Sequence, residues 1–96
     1  MTIQVHRDAD LRICGASTIV TGQTTVFAND RLISVEGDTN THGGGQLIAT
    51  GGGSVFIEGK KMIVVGNDAL SDNRCDDDYL HCAPKSSTGS SDVLAF

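Results

Sequence analysis

Aromatic residues are scarce in this 96-residue chain, at 4 %, and tryptophan is missing altogether. A core built from Val, Ile and Leu alone is thin, and twelve glycines add conformational entropy that folding must overcome. One domain of this size needs a staple: a metal, a disulfide or a partner chain. Basic residues are few as well, and the net charge of −5 excludes a nucleic-acid surface, which requires clustered Lys and Arg. No apolar run approaches the roughly 20 residues of a membrane span. The start, Met-Thr-Ile-Gln-Val-His-Arg-Asp, has neither the basic nor the apolar region of a signal peptide, so the expected place of synthesis is the cytoplasm. Three cysteines in such a chain favour thiols or metal ligands over a disulfide framework. No long stretch has a 3.6-residue period, so no long helix is expected.

What the chain does have is repetition. Residues 26–38, Val-Phe-Ala-Asn-Asp-Arg-Leu-Ile-Ser-Val-Glu-Gly-Asp, lie without a gap over residues 55–67. A third copy opens at Val93-Leu94-Ala95-Phe96 and runs into the C-terminus. Thr-Gly precedes each copy, as Thr21-Gly22, Thr50-Gly51 and Thr88-Gly89. Short β-branched runs at 17–21, 25–28, 31–35, 46–49, 54–57 and 62–65 are separated by Gly, Asn and Asp. Asn29-Asp30 and Glu58-Gly59 sit where tight hairpin turns belong. These features predict an all-β fold: a pseudo-threefold arrangement of short hairpin repeats, at about 14–38, 42–67 and 81–96. A truncated third copy leaves a bare strand edge, which calls for a partner. The polar segment 67–87 breaks the pattern, with a helical turn expected at 68–72 and a solvated acidic loop at Asp76-Asp77-Asp78.

Counting back from each Thr-Gly pair places Cys14-Gly15, His42-Gly43 and His81-Cys82 at corresponding points of the copies. Taken singly, a His is a surface residue and a Cys a small buried hydrophobe. Together, one good ligand per copy converges on the pseudo-threefold axis, and His6, just after Val5, supplies a fourth. The candidate ligands are therefore His6, Cys14, His42 and His81, a His₃Cys set suited to tetrahedral Zn²⁺. Such a site closes loops that the thin core cannot hold, and metal binding becomes folding energy. Cys75 is a substitute sulfur ligand, while Cys75 and Cys82 are compatible with a disulfide, with a sulfur ligand pair alongside His81, or with two reduced thiols. The string His42-Gly43-Gly44-Gly45 matches an oxyanion-hole motif of some esterases. No Gly-x-Ser-x-Gly accompanies it and Ser54 has no base beside it, so no enzyme activity is expected.

The segment 26–45, followed by Ser54-Val55-Phe56-Ile57-Glu58-Gly59-Lys60, resembles the PAAR-repeat family, in particular its small phage-type spike-tip members. Gly53-Ser54 and Gly89-Ser90, the two hairpin turns and the Gly37-Asp38 bend carry the likeness. The Pro-Ala-Ala-Arg string is replaced by Arg31-Leu32-Ile33-Ser34 and Lys60-Lys61-Met62-Ile63. The resemblance implies a conical cap with a structural metal at its point, held by three histidines and a cysteine. By position these are His42 and His81, then Cys14 and His6. It also implies a base that sits on a trimeric β-helical spike, one copy per trimer, in a contractile phage tail or type VI secretion apparatus. Contact with the target membrane is then transient. The alternative is a free cytosolic zinc-binding module with no spike partner.

Overall fold

Turn residues recur so closely along this chain that no strand runs far, and each short strand soon changes partner. A computed structural model of the chain describes residues 3–50, 55–76 and 79–95. Its strands are β1 (Ile3–Gln4), β2 (Thr18–Ile19), β3 (Phe27–Ala28), β4 (Arg31–Leu32), β5 (Thr39–Asn40), β6 (Phe56–Ile57), β7 (Lys60–Lys61) and β8 (Leu94–Ala95). Among the described residues the helical content is one 3-10 turn, Tyr79–Cys82. The fold is all-β, with no long helix among the described residues, as expected. The strand start expected at Ser54, the signal positions Gly51 and Gly53, Asp77 and Asp78 of the acidic run, and Phe96 lie outside the described residues.

Two hairpins form as the turn chemistry dictates. β3 pairs with β4 and β6 with β7, both antiparallel. Both turn residues have positive φ in each case: Asn29 at 53° and Asp30 at 66°, then Glu58 at 51° and Gly59 at 83°. This is the turn whose twist matches that of the flanking strands. The third hairpin is assembled from both ends of the sequence. β8 pairs with β1, Leu94 opposite Gln4, in the register in which Phe27 faces Leu32 and Phe56 faces Lys61. The expectation of a truncated third copy with a bare edge is thereby corrected: β1 supplies the strand that β4 and β7 supply elsewhere. Counting only forward from the Thr-Gly signals hid this closure.

Next along each copy, the chain enters a ring of backbone hydrogen bonds. His6 N–H donates to Ile63 C=O at 3.0 Å, Ile63 N–H to Ser34 C=O at 2.9 Å, and Ser34 N–H to His6 C=O at 2.8 Å. Around this ring, Arg7 bridges Ile33, Val35 bridges Met62, and Val64 bridges Val5. A strand's side chains alternate in direction. Val5, Ile33, Val35, Met62 and Val64 accordingly share one core cluster with Ala28 and Ile57. Ile63, one residue out of phase, packs instead with Leu47 and Ala69.

Each copy then turns sharply. Asp10, Asp38 and Asn67 are buried, and their side-chain oxygens accept from the N–H of Arg7, Val35 and Val64, each at 2.9 Å. The residue before each has positive φ: Ala9 at 67°, Gly37 at 95° and Gly66 at 93°. A second cycle of bridges follows, Thr18 with Asn40, Leu47 with Ala69, and Ser86 with Arg12. The segment 68–72 takes part in that cycle as extended chain, with Leu70 N–H on Gln46 C=O and Gly45 N–H on Ser71 C=O. Pairing with the neighbouring copy therefore replaces the helical turn expected there. Beyond this cycle lie the distal loops, at the far end of each copy's excursion from its hairpin.

Candidate metal centre

The distal loops of the first two copies are built alike. Arg12 N–H bonds Ala16 C=O and Gly15 N–H bonds Arg12 C=O, while Asn40 N–H bonds Gly44 C=O and Gly43 N–H bonds Asn40 C=O. Gly15 and Gly43 both have φ of 89°. These matched turns present Cys14 and His42 at the same point, as the repeat alignment predicted. The Gly43-Gly44-Gly45 run serves backbone geometry: all three have positive φ, and a Cβ on Gly45 would lie 2.6 Å from Asn40 Nδ2. The third copy has a longer loop and contributes two groups, Asp72 and His81, tied by Asp72 N–H on His81 C=O at 2.8 Å.

Four ligating atoms converge. Those of Cys14, His42, Asp72 and His81 all lie within 4.8 Å of one another. His42 Nδ1 is 3.2 Å from His81 Nδ1 and 3.4 Å from Asp72 Oδ2. His81 Nδ1 is 3.2 Å from Asp72 Oδ2. Cys14 Sγ is 3.6 Å from Asp72 Oδ2 and 3.9 Å from His42 Nδ1. A tetrahedral ion with N and O ligands near 2.0–2.1 Å and S near 2.3 Å has edges of about 3.3 Å between N or O atoms and about 3.6 Å to sulfur. These five edges lie near that pattern, and the sixth, between Cys14 and His81, is within 4.8 Å, so these four residues could hold a metal ion. A thiolate and a carboxylate also neutralise a divalent charge, leaving both imidazoles neutral as ligation requires.

The carboxylate is prepared for this role. Burial works against its charge, but the N–H of Arg74, the amide of Asn40 and the His81 ring outweigh it and hold the Asp72 carboxyl down at about 2. Asn40 Nδ2 donates to Asp72 Oδ2 at 3.1 Å, and Asn40 Oδ1 accepts from His42 N–H at 2.9 Å, so one buried amide orients two of the four groups. Burial pushes the Cys14 thiol up, and the Asp72 carboxylate adds to that. A cation in the site would reverse this and favour the thiolate.

His6 is not one of the four. The central hydrogen-bonded ring aligns it with Ser34 and Ile63, not with Cys14, His42 and His81. It is fully buried, and both its ring nitrogens are in use. Nδ1 is 2.7 Å from Thr88 C=O, an acceptor, so Nδ1 carries the proton; Nε2 accepts from Thr18 Oγ1 at 2.6 Å. Burial lowers its pKa to about 4, so it stays neutral. Cys75 is also excluded as a ligand, because it forms a disulfide with Cys82.

Two residues escaped sequence reasoning. Asp72 lies in a polar stretch where nothing separates it from other loop carboxylates. It becomes visible as a ligand only once the third loop is known to fold back on itself. Arg12 is 2 % exposed, and its guanidinium joins all three copies. Nε donates to Thr18 Oγ1 at 2.6 Å, Nη1 to Gly45 C=O at 2.8 Å and Pro84 C=O at 3.0 Å, and Nη2 to Asp38 C=O at 3.3 Å and Thr39 C=O at 3.2 Å. Burial lowers its pKa to about 10, which leaves it charged at neutral pH. No protein-family model matches the chain, and no curated protein or solved structure matches it either.

Proposed function

We propose that this chain is a structural, non-enzymatic tip, stabilised by Zn²⁺, that caps a trimeric β-helical spike in a contractile phage tail or type VI secretion apparatus. The observation that carries the reading is threefold repetition of exposed apolar surface. Each hairpin presents a Val and a large apolar neighbour at matching positions: Val26 and Phe27, Val55 and Phe56, Val93 and Leu94. All six are between 37 % and 57 % exposed. Three equivalent apolar pairs on one chain complement a partner with true threefold symmetry, one copy per trimer. The exposure of these residues adds to the PAAR-repeat resemblance, which was drawn on the same hairpin segments.

The metal completes the role. An apex is mostly surface, and hydrophobic burial cannot hold it together. An ion bound by Cys14, His42, Asp72 and His81 cross-links three separate loops at the points most remote, along the chain, from the hairpins. The donor set, two imidazoles, a thiolate and a carboxylate, suits Zn²⁺. In this role the tip is made in the bacterial cytoplasm, joins the spike during assembly, and meets the target membrane only at puncture.

Mixing the chain with a trimeric β-helical spike protein and measuring mass by light scattering tests the partner. One copy per trimer is expected, and the double substitution Phe27→Glu and Phe56→Glu should abolish the complex. Failure of the unsubstituted chain to bind any such trimer would favour the free zinc-binding module instead.

A further inference from the structure

We infer that the metal centre is redox-regulated: the Cys75–Cys82 disulfide holds Asp72 and His81 in ligating position, and its reduction by a thiol reductant weakens metal binding. This rests on the metal-centre reading above and adds a control to it.

The disulfide closes a segment that contains one ligand and starts just after another. Asp72 stands three residues before Cys75, and His81 immediately precedes Cys82, seven residues after its partner. The 3-10 turn that carries His81 contains no buried residue, and Tyr79 within it is 82 % exposed. Its position thus owes little to apolar packing. Besides the contact of His81 Nδ1 with Asp72 Oδ2, it is tied to Asp72 by the backbone bond from Asp72 N–H to His81 C=O and by the disulfide, whose Cys75 N–H also reaches Asp72 C=O at 3.3 Å. Cys82 is exposed and Cys75 half-buried, so a reductant can reach the bond. In the reaction a dithiol gives up two electrons and two protons; the Cys75–Cys82 bond breaks to two thiols, and the reductant closes its own disulfide. The freed segment must then be ordered each time His81 ligates, a loop-closure cost the disulfide otherwise removes. By linkage, bound metal must protect the disulfide from reduction by the same factor by which reduction weakens the metal.

The test is Zn²⁺ affinity, measured on the full chain by competition with a chromophoric chelator. Oxidised wild type should bind one equivalent. The double variant Cys75→Ser and Cys82→Ser, a permanently open loop, should bind roughly 10- to 100-fold more weakly. Equal affinity of the two forms overturns the inference. If oxidised wild type itself binds no Zn²⁺, the metal-centre reading falls, and this inference with it. Should the double variant not fold, wild type alone decides. With Zn²⁺ bound, the equilibrium between the wild-type disulfide and dithiol, measured in a glutathione redox buffer, should shift at least tenfold toward the disulfide, and an unchanged equilibrium overturns the inference.

Discussion

The Nδ1 atoms of His42 and His81 lie 3.2 Å apart, although 39 residues separate them in the chain. Both also face Asp72 Oδ2, at 3.4 Å and 3.2 Å. One proton can bridge one such pair at a time, whereas one cation satisfies all three atoms and Cys14 Sγ together. Replacing His42 by Ala removes one corner of the tetrahedron. Metal content, read by elemental mass spectrometry, and melting temperature should fall together, the latter by about 10 °C or more if some 2 kcal/mol of binding energy is lost. Chelation of the unsubstituted chain should lower the melting temperature similarly; no change would mean that the ion contributes nothing to folding.

His6 provides a different test, because it lies outside the metal site. Its folded-state pKa, about 4, is below the ordinary value of 6.5. The unfolded chain therefore binds the proton more readily. The contribution is neutral above pH 6.5, where both states are unprotonated, and stability is lost as pH falls from 6.5 to 4. The total loss is about 3 kcal/mol at 1.36 kcal/mol per pKa unit. On chelator-treated protein, His6→Gln should flatten the pH dependence of stability across that window. An unchanged slope would show that His6 does not carry it.

Ala9 occupies, at φ of 67°, the turn position that Gly37 and Gly66 occupy at 95° and 93°. A left-handed conformation costs a non-glycine residue about 1–2 kcal/mol. Glycine returns part of that gain through the freedom it adds to the unfolded chain. Ala9→Gly should still stabilise the protein by about 0.5–1 kcal/mol, measured by urea denaturation at constant slope. Destabilisation would mean that Ala9 is held there without strain.

Arg12→Lys keeps the charge and loses the fork. An ammonium has three donors for the five hydrogen bonds the guanidinium makes to Thr18 and four backbone carbonyls. Carbonyls of Asp38, Thr39, Gly45 and Pro84 then compete for too few protons in a dry interior, and a loss of about 3 kcal/mol is expected. Full stability of the Lys variant would show that the charge alone is what the site requires.

How far these features could be read from sequence follows from how local their causes are. The hairpin turns at Asn29-Asp30 and Glu58-Gly59 were legible because adjacent residues determine them. Cys14 and His42 were legible because their loops are near-identical in length. His81 was found through its distance from Gly89 despite the longer loop. His6 was misplaced because the register of the central ring depends on bonds from His6 to Ile63 and Ser34, and no local pattern reports those. Its neutrality and burial follow from Thr18 and Thr88, which only the folded chain brings near. The same holds for β1, whose partner β8 lies at the other end of the sequence. Asp72 and Arg12 were missed because their roles rest on contacts between copies, which neither the polar stretch around Asp72 nor the Leu11 and Ile13 beside Arg12 reports.

The most direct measurement is anomalous X-ray scattering from a crystal of the full chain at the zinc edge. One peak is expected, within about 2.0–2.3 Å of Cys14 Sγ, His42 Nδ1, Asp72 Oδ2 and His81 Nδ1. A crystal grown with Zn²⁺ that shows no peak there, or a peak held by other side chains, would contradict the account.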